Sequence, residues 1–156
     1  MTIAITGHRD VVIDETLLLQ LDDFFKEMSK KYEHIVLLSA LADGADQCVA
    51  KSALCYENID LKVPLPFAQE LYVKTLENKE NFYTLVKHAK ETFEVPKVYE
   101  NSYKNLGCYL VDNSDVLLVL WDGIYNGKVG GTSEVLKYAK ELKKSMIHID
   151  VNRQNY

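Results

Sequence analysis

Five short apolar runs, each containing β-branched residues, constrain the fold of this chain more than any other feature of its sequence. They are IAIT (3–6), HIVLLS (34–39), IDLKVPL (59–65), DVLLVLW (115–121) and SMIHIDV (145–151), and TFEVPKVY (92–99) is a weaker sixth. Several are apolar on both faces, which is typical of parallel strands buried between two layers of helices. The runs therefore predict a sheet with most of its strands in the interior.

Segments with helical periodicity separate these runs. The clearest amphipathic segments cover residues 14–32, 45–56 and 131–144. Each places apolar side chains three and four positions apart, which predicts a helix with one buried face. The stretch 67–93 predicts one or two further helices, and 101–114 predicts another that is interrupted at Gly107.

Strands that alternate with helices predict an α/β fold. We expect a single-domain, Rossmann-like architecture over residues 1–156, with a doubly wound, mainly parallel sheet of about five to six strands. No repeat, low-complexity segment or linker divides the chain, and 156 residues are enough to bury a sizeable core.

Charge and composition exclude some classes of partner at this stage. The net charge of −5 argues against a broad nucleic-acid or membrane surface, so we expect no general nucleic-acid binding and no membrane partner. The start MTIAITGHRD lacks the features of a signal peptide, which favours a cytoplasmic location. The cysteines and histidines show no metal-ligand spacing, so nothing in the sequence calls for a metal ion or a cofactor.

Four loops of unusual composition directly follow predicted strands. They read TGHRD, SALADGADQ, PLPF and DGIYNGKVGGTSE. In parallel α/β sheets the ligand lies in a crevice outside the carboxyl ends of the strands. These loops should therefore meet at one edge of the sheet, and that edge is the predicted ligand site.

Two of the loops lead from a strand into a helix through glycine. Gly44 lies in one, and Gly130 and Gly131 lie in the other. The unpaired N–H groups of a helix N-terminus bind anions, and glycine lets the backbone approach a ligand closely. The alternative is that Asp43, Asp46, Thr132, Ser133 and Glu134 only cap these helices. Two such loops at one edge favour a phosphate or nucleotide pocket.

Charged side chains flank the same edge. Arg9 offers a planar fork for phosphate, although a solvated pair with Asp10 is the alternative, and His8 either orients Arg9 or has no role. Asp122 and Gly123 either bind sugar hydroxyls or form a turn. The candidate nucleotide-binding residues are Gly7, His8, Arg9, Ser39, Asp43, Gly44, Asp46, Asp122, Gly123, Gly130, Gly131, Thr132 and Ser133. The tyrosine-rich stretch with Tyr99, Tyr103 and Tyr109 lines either a pocket or an interface.

The ordered motifs resemble the SLOG superfamily of Rossmann-like domains. The segments are ITGHRD, LSALADGADQCVAKSAL, LKVPLPF, YLVDNSDVLLVLWDG and GGTSEVLKYAK, which span most of residues 3–149 and match least at 68–98. The pattern is most similar to a bacterial branch with GHR, GAD, LWDG and GGT motifs. This superfamily includes cytokinin-activating phosphoribohydrolases and DNA-processing proteins. The resemblance implies binding of a nucleotide derivative, a homodimer, and a separate effector protein if the role is sensing.

The sequence departs from the hydrolytic relatives at their acid. Those enzymes resemble one another in a G-T-x-x-E motif, whereas here Glu134 comes one residue early and Val135 stands at the expected position. One residue turns a helical side chain by about 100°. Val129 also replaces the proline that precedes the glycines in the phosphoribohydrolases. Glu134 therefore fits a cap or a sugar contact better than a catalyst.

Three functional hypotheses follow from these observations. The first is binding or sensing of a nucleotide or an ADP-ribose-like ligand. The second is an N-ribosyl hydrolase, similar to phosphoribohydrolases or deoxyribosyltransferases, that cleaves nucleoside monophosphates or dinucleotides with Glu134 as the catalytic residue. The third is single-stranded DNA binding, which the net charge of −5 makes the least favoured.

Overall fold

The computed structural model describes residues 1–154, which form six strands and six helices. The strands are β1 (Thr2–Gly7), β2 (Ile35–Leu38), β3 (Ile59–Leu65), β4 (Glu91–Glu94), β5 (Val116–Trp121) and β6 (Ser145–Asp150). The helices are α1 (Glu15–Lys31), α2 (Ala45–Ala53), α3 (Gln69–Val73), α4 (Lys79–Lys87), α5 (Ser102–Asp112) and α6 (Thr132–Glu141). The last two residues of the predicted domain, 155–156, lie outside the described residues.

All six strands are parallel and lie in the order β4-β3-β2-β1-β5-β6. α1 packs beside α2 and α5 beside α6, and helices of both pairs contact β1. Because crossovers are right-handed, helices on either side of the strand-order reversal cover opposite faces of the sheet. This arrangement confirms the predicted α/β, doubly wound parallel sheet.

The central strands are buried on both faces. Ile3, Ala4 and Ile5 of β1 are fully buried, as are Leu117 to Leu120 of β5. This explains why those runs carry no polar alternation, since parallel strands covered on both sides have no solvent face. The edge strands β4 and β6 contain only exposed and half-buried positions.

One predicted element differs in detail, and another is defined more closely by the structure. α5 continues through Gly107 instead of being interrupted there, and a Cβ atom at this glycine would lie 2.7 Å from Cγ2 of Val135. The glycine therefore marks close packing of α5 on α6. The stretch 67–93 forms two helices, because Asn78 caps a new helix by accepting a hydrogen bond from the Asn81 N–H.

The turn into α2 is closed tightly on the loop that follows β1. Gly44 has φ +75°, and a Cβ atom built there would lie 2.3 Å from the carbonyl oxygen of Arg9. The Ala45 N–H donates to the carbonyl oxygen of His8 at 3.1 Å. This contact fixes the loop after β1 against the first turn of α2. None of the helices described within residues 1–154 is long and apolar enough to cross a membrane.

Replacement of Gly44 by alanine tests this contact. We expect Gly44→Ala to lower the free energy of unfolding by about 3 kcal/mol, since it combines left-handed backbone with steric overlap. Gly123→Ala is the matched control, because Gly123 also has positive φ but a Cβ atom there meets no atom within 4 Å. Gly123→Ala should lower the free energy of unfolding by only about 1 kcal/mol. Urea denaturation measures both, and equal losses would contradict the close approach at Gly44.

Candidate functional site

A cavity of about 490 Å³ opens at the carboxyl end of β1, beside the position where the strand order reverses between β1 and β5. This is the place at which doubly wound folds bind ligands, and the volume lies within the usual range for small-molecule sites. Its walls are Ile5, Thr6, Gly7, His8, Arg9, Asp10, Ala40, Ala42, Asp46, Tyr72, Tyr103, Leu106, Gly107, Leu110, Asn126, Lys128, Val129, Gly130, Gly131, Thr132, Val135 and Arg153.

Arg9 and Lys128 bring positive charge with unused hydrogen-bond donors to this cavity. Nη1 of Arg9 donates to the backbone oxygen and to Oγ1 of Thr75, at 3.1 and 3.3 Å, and the guanidinium lies 5.9 Å from the centre of the Tyr72 ring. Within residues 1–154, neither the other two guanidinium nitrogens nor Nζ of Lys128 has a hydrogen-bond or ion-pair partner. These donors are available to an anionic ligand.

A chain of ion pairs connects three loops along one side of the cavity. Nε of Arg153 donates to Asp10 at 2.8 Å, and Nη1 of Arg153 lies 3.7 Å from Asp122. Nε2 of His8 lies 3.2 Å from Oδ1 of Asp122, but the contact is poorly aligned for a hydrogen bond. Although desolvation acts in the opposite direction, the Ile124 N–H, His8 and Arg153 together lower the pKa of Asp122. Asp122 therefore joins the segments that follow β1, β5 and β6.

Asp46 is a buried carboxyl group in the first turn of α2. Its Oδ2 accepts a hydrogen bond from the Ala42 N–H at 3.3 Å. Burial raises the pKa of Asp46 to about 7, against the smaller lowering effects of the Ala42 N–H and the Arg9 charge. In the described part of the chain no ion pair within 4.0 Å joins Asp46 to Arg9. Near neutral pH this carboxyl group is therefore present in both protonation states.

Most N–H groups in the first turn of α2 already donate hydrogen bonds to acceptors in the protein. The Ala45 N–H donates to His8, and the Gln47 N–H donates to the carbonyl oxygen of Ala42 at 3.2 Å. Gly44 packs on the backbone of the loop after β1 and is not part of the cavity wall. Little of this helix end is left to bind a phosphate group.

Asp43 and Ser39 hold neighbouring loops instead of lining the cavity. The Asp43 carboxylate accepts hydrogen bonds from the N–H groups of Glu77 and Asn78, both at 2.9 Å. Ser39 is fully buried, and its hydroxyl donates to the backbone oxygen of Asp46 at 3.3 Å. These contacts fix the loop between β2 and α2.

The N-terminus of α6 is more open to a ligand. Gly130 has φ +76° and packs against Tyr103, where a Cβ atom would lie 2.6 Å from the tyrosine Cβ. Gly131 is the N-cap residue and has no capping side chain. Within residues 1–154, the backbone N–H groups of Thr132 and Ser133 have no hydrogen-bond partner. The unpaired Thr132 N–H and the positive end of the helix dipole therefore meet the cavity.

Glu134 points away from the cavity. Its Oε1 accepts a hydrogen bond from the Gly130 N–H at 3.3 Å. It lines a separate groove of about 350 Å³ between α5 and α6, whose wall includes Lys104 and Cys108. Val135, the residue that the sequence resemblance aligns with the acid of the G-T-x-x-E enzymes, lines the main cavity. The contact of Glu134 is that of a helix cap.

The structure gathers about half of the candidate residues around the cavity. Those in its wall are Gly7, His8, Arg9, Asp46, Gly130, Gly131 and Thr132. Those outside it are Ser39, Asp43, Gly44, Asp122, Gly123, Ser133 and Glu134. Ser133 instead fastens the loop before α6, because its hydroxyl donates to Oδ1 of Asn126 at 3.0 Å.

Sequence reasoning missed several wall residues. Lys128 lies inside the glycine-containing loop and was detectable as its only cation. Arg153 follows β6, so inspecting the residues after the last strand as well would have found it. Tyr72 arrives from α3, and no sequence signal indicated its position. Among residues 1–154, no cluster of His, Cys, Asp or Glu side chains is arranged to hold a metal ion.

No protein-family model matches the chain, and no curated protein matches it by sequence. Solved structures do share its fold. DNA processing protein A from Helicobacter pylori, which binds single-stranded DNA, is 18% identical with a TM-score of 0.64, over 99% of this chain and 67% of its own. The Moco carrier protein from Chlamydomonas reinhardtii is 15% identical with a TM-score of 0.57, over 95% of this chain and 75% of its own. At the level of the fold these similarities agree with the SLOG resemblance.

The expectation of no general nucleic-acid binding was wrong. It rested on the net charge of −5, yet a structural neighbour that spans nearly the whole chain binds single-stranded DNA. Net charge is summed over the entire surface, whereas Arg9, Lys128 and Arg153 gather at one cavity. A global sum therefore does not describe the local field that a ligand meets.

Substitutions of Glu134 test its capping contact. Glu134→Ala should lower the free energy of unfolding by about 0.5–1 kcal/mol, because the Gly130 N–H loses its acceptor and the helix dipole its counter-charge. Glu134→Gln keeps an oxygen that can accept this hydrogen bond, so it should lower the free energy of unfolding by less. Thermal or urea denaturation compares the two variants. A loss in Glu134→Gln equal to that in Glu134→Ala would argue against the hydrogen bond.

The protonation of Asp46 predicts a pH dependence of stability. Its pKa is higher in the folded than in the unfolded chain, so the folded state keeps a proton that the unfolded state releases. Relative to Asp46→Asn, the wild type should therefore lose up to about 4 kcal/mol of stability as the pH rises from about 4 to about 7. Urea denaturation of both proteins across this range measures the difference. A difference that does not change with pH would contradict the raised pKa.

Proposed function

We propose that this protein binds a nucleotide or a nucleotide-derived ligand, of which ADP-ribose is a model, in the cavity beside β1. The observation that carries the proposal is the convergence of unused cationic and backbone donors on a cavity of about 490 Å³. Arg9 and Lys128 supply the charges, and Thr132 supplies an unpaired N–H group at the N-terminus of α6. Phosphate is the ligand group that best matches this combination.

The remaining wall suits the rest of such a ligand. Leu106 and Leu110 of α5 and the half-buried Tyr103 ring present apolar surface to the same cavity. A base can pack on this surface while its phosphate contacts the cations. This division into an apolar wall and a cationic wall favours an amphipathic ligand over a free inorganic anion.

Family-level inferences extend the proposal. The order of the motifs and the shared fold support assignment of residues 1–156 to the SLOG superfamily, as one nucleotide-binding domain of the GHR…GAD…LWDG…GGT branch. On this assignment the protein is cytoplasmic and homodimeric, and in a sensing role a separate effector protein reads the bound state. The alternative of N-ribosyl hydrolysis is less well supported, because Glu134 faces away from the cavity and Val135 lines it.

Single-stranded DNA is a second candidate ligand. The specific observation is that a single-stranded DNA-binding protein shares this fold over 99% of the chain. A strand carries the same phosphate and base groups as a free nucleotide, so the same cavity can recognise one of its nucleotides. Backbone phosphates then contact the cations while a base packs on an aromatic side chain.

Removal of the cavity cations tests the proposed function. Arg9→Ala and Lys128→Ala should each weaken binding of AMP, NAD or ADP-ribose by about tenfold or more, since each removes charge-assisted hydrogen bonds. Lys30→Ala, an equal charge change on α1 outside the cavity, should leave affinity unchanged. Isothermal titration calorimetry measures the affinities, and mass spectrometry identifies any nucleotide released from the native protein.

The outcomes separate the candidates. Failure of the wild type to bind or retain any nucleotide would overturn the first proposal. Filter binding of an oligonucleotide at low salt that depends on Arg9, without nucleotide binding, would favour single-stranded DNA instead. Release of free base by the wild type that is lost in Glu134→Gln would favour the hydrolase.

A further inference from the structure

Asp46 is an unexpected group in a cavity suited to anions. Its side chain is only 8% exposed, yet it forms part of the cavity wall. Oδ2 is held by the Ala42 N–H, whereas Oδ1 has no hydrogen-bond partner within residues 1–154. A buried carboxylate that is ionised normally accepts two or three hydrogen bonds. The surroundings of Asp46 provide only one hydrogen bond, so they stabilise the ionised carboxylate poorly.

The groups around Asp46 do not supply a full counter-charge. Arg9 acts on it from the loop after β1 but forms no ion pair with it within 4.0 Å in the described part of the chain. Tyr72 of α3 lies close enough to feel the charges of both Asp46 and Asp43. The N-terminus of α2 favours the ionised form, but its first turn is largely satisfied by His8 and Ala42. Desolvation outweighs these stabilising effects.

A ligand phosphate in the same cavity makes ionisation of Asp46 still less favourable. An ionised Asp46 would repel a ligand phosphate, and because Asp46 is only 8% exposed, solvent screens this repulsion less than it would at the surface. A protonated Asp46 removes this repulsion and gains a donor, the carboxyl O–H, for which the protein offers no acceptor. Arg9 and the acid group then become two donors at one cavity instead of opposed charges.

We infer that the cavity binds its phosphate-bearing ligand together with one proton, which Asp46 holds and donates as a hydrogen bond to a phosphate oxygen. The inference rests on the proposed nucleotide-binding function. Within that function, Asp46 favours anions that offer a hydrogen-bond acceptor to its carboxyl O–H. The ligand binds the protonated form of the protein. Affinity therefore falls as the pH rises and the protonated fraction of free protein decreases, approaching about tenfold per pH unit.

ADP-ribose is the probe for this experiment, because its pyrophosphate diester has no group that titrates near neutral pH. For the wild type, calorimetry should give an affinity about thirtyfold weaker at about pH 8.5 than at about pH 6, since the protonated fraction of Asp46 falls by that factor. For Asp46→Asn the two affinities should agree within about twofold, since the amide does not titrate. Asp43→Asn is the matched control, because Asp43 lies in the same loop but outside the cavity wall. It should keep the pH dependence of the wild type.

Proton uptake provides a second measurement. Titrations in two buffers with different heats of ionisation should show uptake of about one proton by the wild type near pH 8 and about none by Asp46→Asn. Binding without proton uptake, or an equal pH dependence in Asp46→Asn, would overturn the inference and leave nucleotide binding intact. Absence of ADP-ribose binding by the wild type at every pH would overturn both.

Discussion

The parallel pairing of β1 with β5 is the contact on which the cavity depends. The chain runs outward from β1 through β2, β3 and β4, and α5 then carries it back across the sheet to place β5 on the other side of β1. Gly7 at the end of β1 pairs with Leu120. The connections that leave these two strands run in opposite directions, and the crevice opens at this point, with residues of α2, α5 and α6 in its wall. A Cβ atom at Gly7 would lie 2.5 Å from that of Ala45, so glycine is needed to bring β1 and α2 together here.

Two glycine-containing turns that look alike in the sequence have different physical roles. At α2 the Ala45 and Gln47 N–H groups donate to the carbonyl oxygens of His8 and Ala42. Glycine is needed at position 44 because the backbone of Arg9 lies within contact distance. At α6 no protein acceptor reaches the N–H groups of Thr132 and Ser133 in the described structure. One turn therefore ties the sheet edge together, and the other leaves donors for a ligand. The difference depends on which carbonyl groups lie opposite, and that is set by tertiary structure.

The fold was more accessible to sequence reasoning than the site. Strand β3 occupies the predicted residues 59–65, because apolar runs bounded by turns report burial directly. The argument from helical rotation separated Glu134 from Val135, and in the structure Val135 lines the cavity whereas Glu134 does not. Tyr72 and Arg153 reach the cavity from distant elements, and local periodicity carries no information about such encounters. The expectation about nucleic acids was wrong for the same reason, because a net charge does not say where on the surface the charged groups lie.

The position of Asp46 also bears on how the protein would distinguish a free nucleotide from a strand. A phosphate group that accepts a hydrogen bond from the buried Asp46 must enter the cavity, because Asp46 lies in its wall. A strand can place only the one or two nucleotides that fit within about 490 Å³ in this environment. Its other phosphates lie outside the cavity, next to a protein whose net charge is −5. At physiological salt, interactions between exposed charges are screened beyond roughly 8 Å. Affinity that stops rising with oligonucleotide length would therefore indicate recognition by the cavity, whereas a continued rise would require a second cationic surface elsewhere on the molecule.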